Sequence, residues 1–307
     1  MSIALPEAVR IREVGPRDGF QNEPEVIPTA DKVRLIDALA RTGIQRLELT
    51  SFVRADVIPQ LADAREVLAA VDIPEGVERS VLVPNERGLE AALEHREQID
   101  GVSVFLSASE THNKKNVNRT VAESLDALGR VIPAAVGAGF HCTAVIATSF
   151  GCPYEGVVEE DRVLQLAAAL AAAGATELGF GDTTGMANPA QVARFFARAA
   201  VDLPGVELTA HFHNTRGQGL ANAVAALQVG CTSFESSFGE LGGCPVPKGA
   251  TGNIATEDLV SMFEEMGVAT GVSLPALLDA TRDVAGVLGR PLGSHTLVAG
   301  PIDWHGA

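Results

Sequence analysis

Residues 177–214 read ELGFGDTTGMANPAQVARFFARAAVDLPGVELTAHFHN, and the spacing of apolar residues in this stretch decides the fold. Two short apolar runs, Glu177–Phe180 and Glu207–Phe212, flank an Ala-rich stretch from Pro189 to Val201. The flanks have the length and bounding turn residues of strands, and the middle has the length of a helix. Asn188-Pro189 marks the helix start, with proline at the first position, where a backbone N–H is not needed. Strand, helix and strand in so few residues make a βα unit, whose crossover leaves the strands parallel.

The same unit recurs in both directions along the chain. Further strands are predicted near Arg10–Val14, Gln45–Leu49, Arg79–Val83, Val102–Leu106, Cys142–Ala147 and Thr232–Glu235, making eight. Helices are expected at Thr29–Thr42, Asp56–Ala70, Glu86–His95, Val121–Ala138, Glu159–Ala173, Gly217–Val229 and Thr256–Met266. Thr29 reads as a helix start. Gly43, Gly139, Gly174, Gly230 and Gly267 read as left-handed residues that end helices. A doubly wound sheet shows a similar alternation, but eight equal units favour an α/β fold of the (β/α)8 TIM-barrel type. A ninth helix, Leu274–Leu288, is expected as a C-terminal appendage. This gives one catalytic domain over 1–307, with the barrel over about 10–270 and the helical appendage over about 272–307.

The composition is 46% apolar with one Trp and one Tyr, so an aliphatic core is expected. A formal charge of -16 repels phosphate polymers and anionic lipid, which excludes nucleic acid and membranes as partners. No apolar run reaches the ~18 residues that span a bilayer. The four cysteines, Cys142, Cys152, Cys231 and Cys244, form no CxxC pair and suit a reducing compartment. The N-terminal residues lack the apolar core of a signal peptide. A cytoplasmic protein is the expectation.

Chemistry on a barrel of this kind sits at the C-terminal ends of the strands. The first strand leads into Gly15-Pro16-Arg17-Asp18-Gly19, where an Arg beside an Asp offers an anion-stabilising group next to a metal-ligand carboxylate; a solvated turn is the plainer account. The seventh ends His211-Phe212-His213-Asn214, and residues two apart on a strand face the same way. Two imidazoles on one face can hold one metal ion. The glycine-rich stretch Gly239–Asn253 permits close backbone approach to a ligand, and the lone Cys244 within it reads as a reactive or closing group. Asn253 reads either as a helix N-cap or as a hard neutral ligand for Mg²⁺ or Mn²⁺. Glu48 and Asp182 also stand at strand ends. Lys114-Lys115, in the segment after the fourth strand, is either a solvated tip or a contact for a phosphate-bearing tail.

Taken together, GPRDGFQNE (15–23), ASETHNKKN (108–116), FGCPYEG (150–156), GDTTG (181–185), HFHN (211–214), GLANAVAALQVG (219–230), ELGGCP (240–245) and GATGN (249–253) resemble the 3-hydroxy-3-methylglutaryl-CoA lyase family. That family belongs to a superfamily of metal-dependent barrel lyases and Claisen-type synthases. The resemblance runs from about Arg12 to Gly267. It implies metal ligation by Asp18, His211, His213 and Asn253, with Mg²⁺ or Mn²⁺ as the ion. Arg17 would polarise the thioester carbonyl and stabilise the enolate, with Gln21 beside it against the substrate. Glu48 and Asp182 match the family's other active-site acids, and Cys244 its loop cysteine. His211, Asp18 or Asp182 would be the base, and Cys244 or a histidine the acid that protonates the enolate.

The implied reaction is retro-Claisen cleavage of 3-hydroxy-3-methylglutaryl-CoA to acetyl-CoA and acetoacetate. A homodimer or higher homo-oligomer is also implied. Departures surround the substrate rather than the metal. Val145 stands where well-known members carry tyrosine, the closing loop differs around Phe238–Glu240 and Val246–Lys248, and Asn214 and Arg216 change the run after His213. These leave open citramalyl-CoA or a longer 3-hydroxy-3-carboxyalkyl-CoA as the acyl-CoA substrate. The contrasting readings are a condensing synthase of the same superfamily and a non-catalytic acyl-CoA-binding protein.

Overall fold

The computed structural model describes residues 5–243 and 251–304. Eight parallel strands close on themselves in sequence order: β1 (Arg10–Glu13), β2 (Arg46–Ser51), β3 (Glu78–Leu82), β4 (Gly101–Ser107), β5 (His141–Ala147), β6 (Glu177–Asp182), β7 (Glu207–Phe212) and β8 (Ser233–Ser236). β8 pairs with β1 from Arg10 opposite Ser233 to Glu13 opposite Ser236, so the sheet has no free edge. The chain is a (β/α)8 barrel. All eight expected strands form within a residue or two of their predicted places.

The helices are α1 (Thr29–Ala40), α2 (Ala64–Ala70), α3 (Glu86–Leu93), α4 (Glu110–Val117), α5 (Val121–Gly137), α6 (Glu160–Ala172), α7 (Pro189–Asp202), α8 (Gly219–Gln228), α9 (Thr256–Glu265), α10 (Leu274–Leu288) and α11 (His295–Ala299). The Asn188 side chain caps α7 by accepting from Gln191 N at 3.1 Å, as the sequence predicts. The five helix-ending glycines all have positive φ. α10 forms where the ninth helix was expected. No helix among the described residues is long and apolar enough to cross a membrane.

α1 starts at Thr29 as expected; Pro28 holds the cap position, and the Thr29 hydroxyl donates to Asp63 Oδ2 at 2.7 Å. Elsewhere two local expectations are corrected. The helix expected over Asp56–Ala70 is helical only from Ala64. Before it, Pro59 opens a separate short turn over Pro59–Leu61, and Arg54 is tied to Asp56. The segment after β4 is not only a loop: Ser109 accepts from His112 N and starts α4.

The apolar core lies between the strands and the helices. Ile11, Leu47, Leu49, Val81, Val102, Val104 and Ala144 face outward from the barrel and are buried. It is mostly aliphatic, with the aromatic pairs Phe20–Phe238 and Phe234–Phe263 and a larger cluster under α7, where Phe150, Phe180, Phe195, Phe196 and Phe212 pack with centroids 4.8–6.5 Å apart. The barrel interior is different. Arg12 and Arg46 both pair with Glu177, whose side chain is 0% exposed, and Thr143 and Thr209 donate to the same carboxylate. Burying these ions is costly, and only their mutual pairing and hydrogen bonds offset it. Together they hold the Glu177 carboxyl far below its ordinary range, although burial alone would push it up.

Candidate active site at the barrel mouth

The turn Gly15–Gly19 follows β1 directly and sets two functional side chains at the mouth. A Cβ on Gly15 would lie 2.4 Å from the Phe238 ring, so the turn can approach that close only as glycine. Arg17 Nε donates to Glu48 Oε2 at 2.5 Å, and Arg17 Nη1 to Asp18 Oδ1 at 2.7 Å. Glu48 reaches this position beside an irregularity in the β2–β3 register between Glu48 and Thr50. Gln21 Nε2 donates to the same Asp18 oxygen at 2.7 Å.

His211 and His213 face the same side, as strand alternation requires, with their Nε2 atoms 3.1 Å apart. Phe212 points the other way into the aromatic cluster. Ligand atoms of Asp18, His211 and His213 all lie within 4.8 Å of one another. Asn253 joins them, its Nδ2 donating to Asp18 Oδ2 at 2.7 Å. It is not a helix cap, since Ala255 holds the cap position of α9. The Asn253 Oδ1 atom is buried without a hydrogen-bond partner. An orphaned amide oxygen beside a carboxylate and two imidazoles is the donor set of a hard divalent cation. The residues fit such an ion.

The electrostatics of Asp18 and His213 agree with that fit. Burial would raise the Asp18 carboxyl, but Arg17, His211, His213 and Asn253 together hold it below its usual range. Burial and the neighbouring His211 push His213 down to about 4, which keeps it neutral as a ligand must be. Burial alone would also depress His211, and the carboxylate of Glu235 reverses this and raises it.

Glu235 is the residue that the sequence reading missed. Its Oε2 lies 2.9 Å from His211 Nδ1, and its Oε1 accepts from Arg12 Nη1 at 2.9 Å. Only the closed barrel shows it: β7 and β8 are neighbours in register, and Glu235 stands opposite His211.

A cavity of about 660 Å³ opens at this end of the barrel, lined by Arg17, Asp18, Gln21, Glu48, His211 and His213 among others. Asp182 stands apart from these. Its Oδ1 accepts from Met186 N and Ala187 N, holding the turn after β6, while its Oδ2 is buried without a partner. Burial pushes its carboxyl up to about 6. Of the lysine pair, Lys115 lines the cavity with its Nζ 4.7 Å from the Tyr154 ring centroid, and Lys114 turns back to the Asn118 carbonyl. Cys244, expected to close the site, lies outside the described residues.

The family model described as HMGL-like matches residues 8–284. A hydroxymethylglutaryl-CoA lyase of Bacillus subtilis is 48% identical over 292 residues, spanning 95% of this chain and 97% of that protein. A 3-hydroxy-3-isohexenylglutaryl-CoA/hydroxymethylglutaryl-CoA lyase of Pseudomonas aeruginosa is 40% identical, spanning 96% of this chain and 98% of that protein. An HMG-CoA lyase of Acinetobacter baumannii, solved with coenzyme A and 3-methylmalate, superposes with a TM-score of 0.93 at 39% identity and full coverage of both chains. With the expected barrel closed and matches spanning nearly all of the sequence, the chain belongs to the HMGL-like family and is a carbon–carbon lyase.

Proposed function

We propose that this lyase cleaves 3-hydroxy-3-methylglutaryl-CoA to acetyl-CoA and acetoacetate with a divalent cation, Mg²⁺ or Mn²⁺, held by Asp18, His211, His213 and Asn253. The observation that carries this reading is the orphaned Asn253 Oδ1 beside the converging Asp18 and two histidines. When bound, such an ion supplies Lewis acidity, lowering the pKa of a substrate hydroxyl.

The chain's own groups do the rest. The base that takes the hydroxyl proton is drawn from His211, Asp18 and Asp182; the first two line the cavity, and Asp182 holds the turn beside it. The C2–C3 bond then breaks, leaving a 3-oxo acid and the enolate of the acetyl thioester. Arg17, fixed by Glu48 and Asp18, presents a guanidinium to that enolate oxygen as its charge develops. A comparable donor is worth ~3–4 kcal/mol. Gln21 holds Asp18 and lies against the substrate. Cys244 or a histidine is the acid proposed to deliver the proton to the enolate carbon.

The rim of the cavity supports a thioester with a phosphate-bearing tail. His112, Lys115 and Arg119 line it in a chain whose net charge is -16. Coenzyme A in the similar Acinetobacter structure is consistent with this. The chain is proposed to be one domain, cytoplasmic and a homo-oligomer, following the resemblance and its sparse cysteines.

The experiment is mass-spectrometric product analysis after mixing protein, Mg²⁺ or Mn²⁺, and 3-hydroxy-3-methylglutaryl-CoA. Acetyl-CoA and acetoacetate, abolished by EDTA, are expected. Intact thioester would move the reading to citramalyl-CoA, which would yield acetyl-CoA and pyruvate. Tight thioester binding without turnover of any of these compounds would leave a non-catalytic acyl-CoA-binding protein.

A further inference from the structure

The mouth of this barrel is divided into two sectors. One is polar and crowded, holding Arg17, Asp18, Glu48, His211, His213 and Glu235. The other is apolar and lies across β4, β5 and β6, where Phe105, Val145, Ala147 and Gly181 line the same cavity. Phe105 and Val145 stand opposite each other in the ladder, and Val145 stands opposite Gly179. All three larger side chains are only partly buried although they sit on central strands, so their free surface is the cavity wall.

The sector is also underfilled. Gly181 is in register with His211 on the next strand, yet a Cβ built on Gly181 would touch nothing closer than Thr183 Oγ1 at 3.4 Å. Next along the wall comes only the methyl group of Ala147, whose Cα lies 3.6 Å from that built Cβ. Beside the histidines, therefore, β6 and β5 contribute almost no side-chain volume. Deeper in, Val145 leans over Gly179, where a Cβ would meet its Cγ2 at 3.1 Å. At the foot stands Ser103, buried and lining the cavity, with a hydroxyl that has no protein partner.

A tertiary carbon bearing a hydroxyl, a carboxylate-bearing arm and a thioester-bearing arm has three polar claims on the crowded sector. Its fourth substituent is left to face the apolar one. We infer that the slot between Phe105, Val145, Ala147 and Gly181 is a specificity site that accepts apolar substituents larger than methyl on the carbinol carbon. This rests on the lyase reading of the same site. The slot also has a limit, because it narrows where Val145 leans over Gly179, above the already buried Ser103 hydroxyl. The fitting class is short saturated alkyl groups such as propyl, and a decyl group overruns the slot.

The test is a kcat/KM series on the metal-loaded wild-type protein with 3-methyl, 3-propyl and 3-decyl 3-hydroxyglutaryl thioesters. The propyl compound is expected within roughly tenfold of the methyl one, since burying extra methylenes in a ready-made apolar site is favourable. The decyl compound is expected to fall by more than a hundredfold. Val145→Phe, which fills the slot, should cut the propyl-to-methyl ratio at least tenfold, and Ala147→Val should cut it in the same direction if Val145→Phe does not fold. Cleavage of the methyl thioester with the propyl one refused by more than a hundredfold overturns the slot and leaves the lyase reading standing. Cleavage of none of the three overturns both.

Discussion

Glu235 Oε2 stands 2.9 Å behind His211 Nδ1, so the imidazole that turns its other nitrogen toward His213 and Asp18 is held in place by a carboxylate. A carboxylate in that position fixes the tautomer and raises the basicity of the coordinating nitrogen. Glu235→Gln keeps the shape but loses the charge. Metal affinity is expected to fall about 10–100-fold, measured by calorimetric titration of Mn²⁺ into EDTA-stripped protein. Unchanged affinity would show that His211 is oriented by its strand alone.

Arg17 ties Glu48 to Asp18, and its loss should separate chemistry from metal binding. Arg17→Gln is expected to lower kcat by roughly 10²–10³-fold, the cost of one oxyanion donor. The metal content, read by elemental analysis after gel filtration, should stay near that of the wild type. Thermal stability should drop as well, because the buried Glu48 carboxylate loses its partner.

Cys244 is proposed to act on the substrate and not on the ion. Cys244→Ser should reduce kcat strongly while stoichiometric metal remains bound. Loss of metal with this substitution would instead place the thiol among the ligands.

Glu13 is a buried acid outside the reaction, and it gives stability a pH dependence of its own. It accepts from Gly15 N at 2.6 Å, from Phe238 N at 3.1 Å and from the Thr256 hydroxyl at 2.6 Å, joining the Arg17 turn to the β8 loop. Burial pushes its carboxyl up to about 8 from an ordinary 4.5. Within that window the folded state keeps a proton that the unfolded state releases, so this contribution to stability is full below pH about 4.5 and is lost as pH rises through about 8. Glu257, pushed up to about 7 by burial, acts in the same direction. Glu13→Gln should therefore be least favourable near pH 5 and recover relative to wild type by roughly 2–4 kcal/mol towards pH 8. Thermal melts of both proteins across this range measure it; parallel curves would show that Glu13 does not titrate there.

The barrel was legible in the sequence because the βα units announce themselves locally, through a short apolar run, a helical period and, in five of the eight, a terminating glycine. The histidine pair was legible for the same reason, since two residues on one strand share a face. Asn253 was ambiguous because a residue ahead of a helix has an ordinary capping role, and only the fold shows Ala255 in that role and Asn253 against Asp18. Glu235 and the Glu177 ion cluster could not be read from spacing. Their partners are 24 to 223 residues away in sequence, and a strand with a charged inward residue looks like an exposed strand until the barrel closes around it. The helix expected from Asp56 failed locally, where Pro59 opens its own turn.

Glu177, Arg12, Glu235 and His211 form an unbroken line of charged contacts from the base of the barrel to its mouth. Barrels of this kind are usually thought of as having an upper rim that can be rewritten freely and a lower half that merely carries it. Here the two are wired together. A change near the foot, remote from any substrate atom, alters the charge that Arg12 offers Glu235 and so the grip on an imidazole at the top. Natural variation or redesign of this chain is thus constrained along a vertical column of residues as well as around the ring of loops.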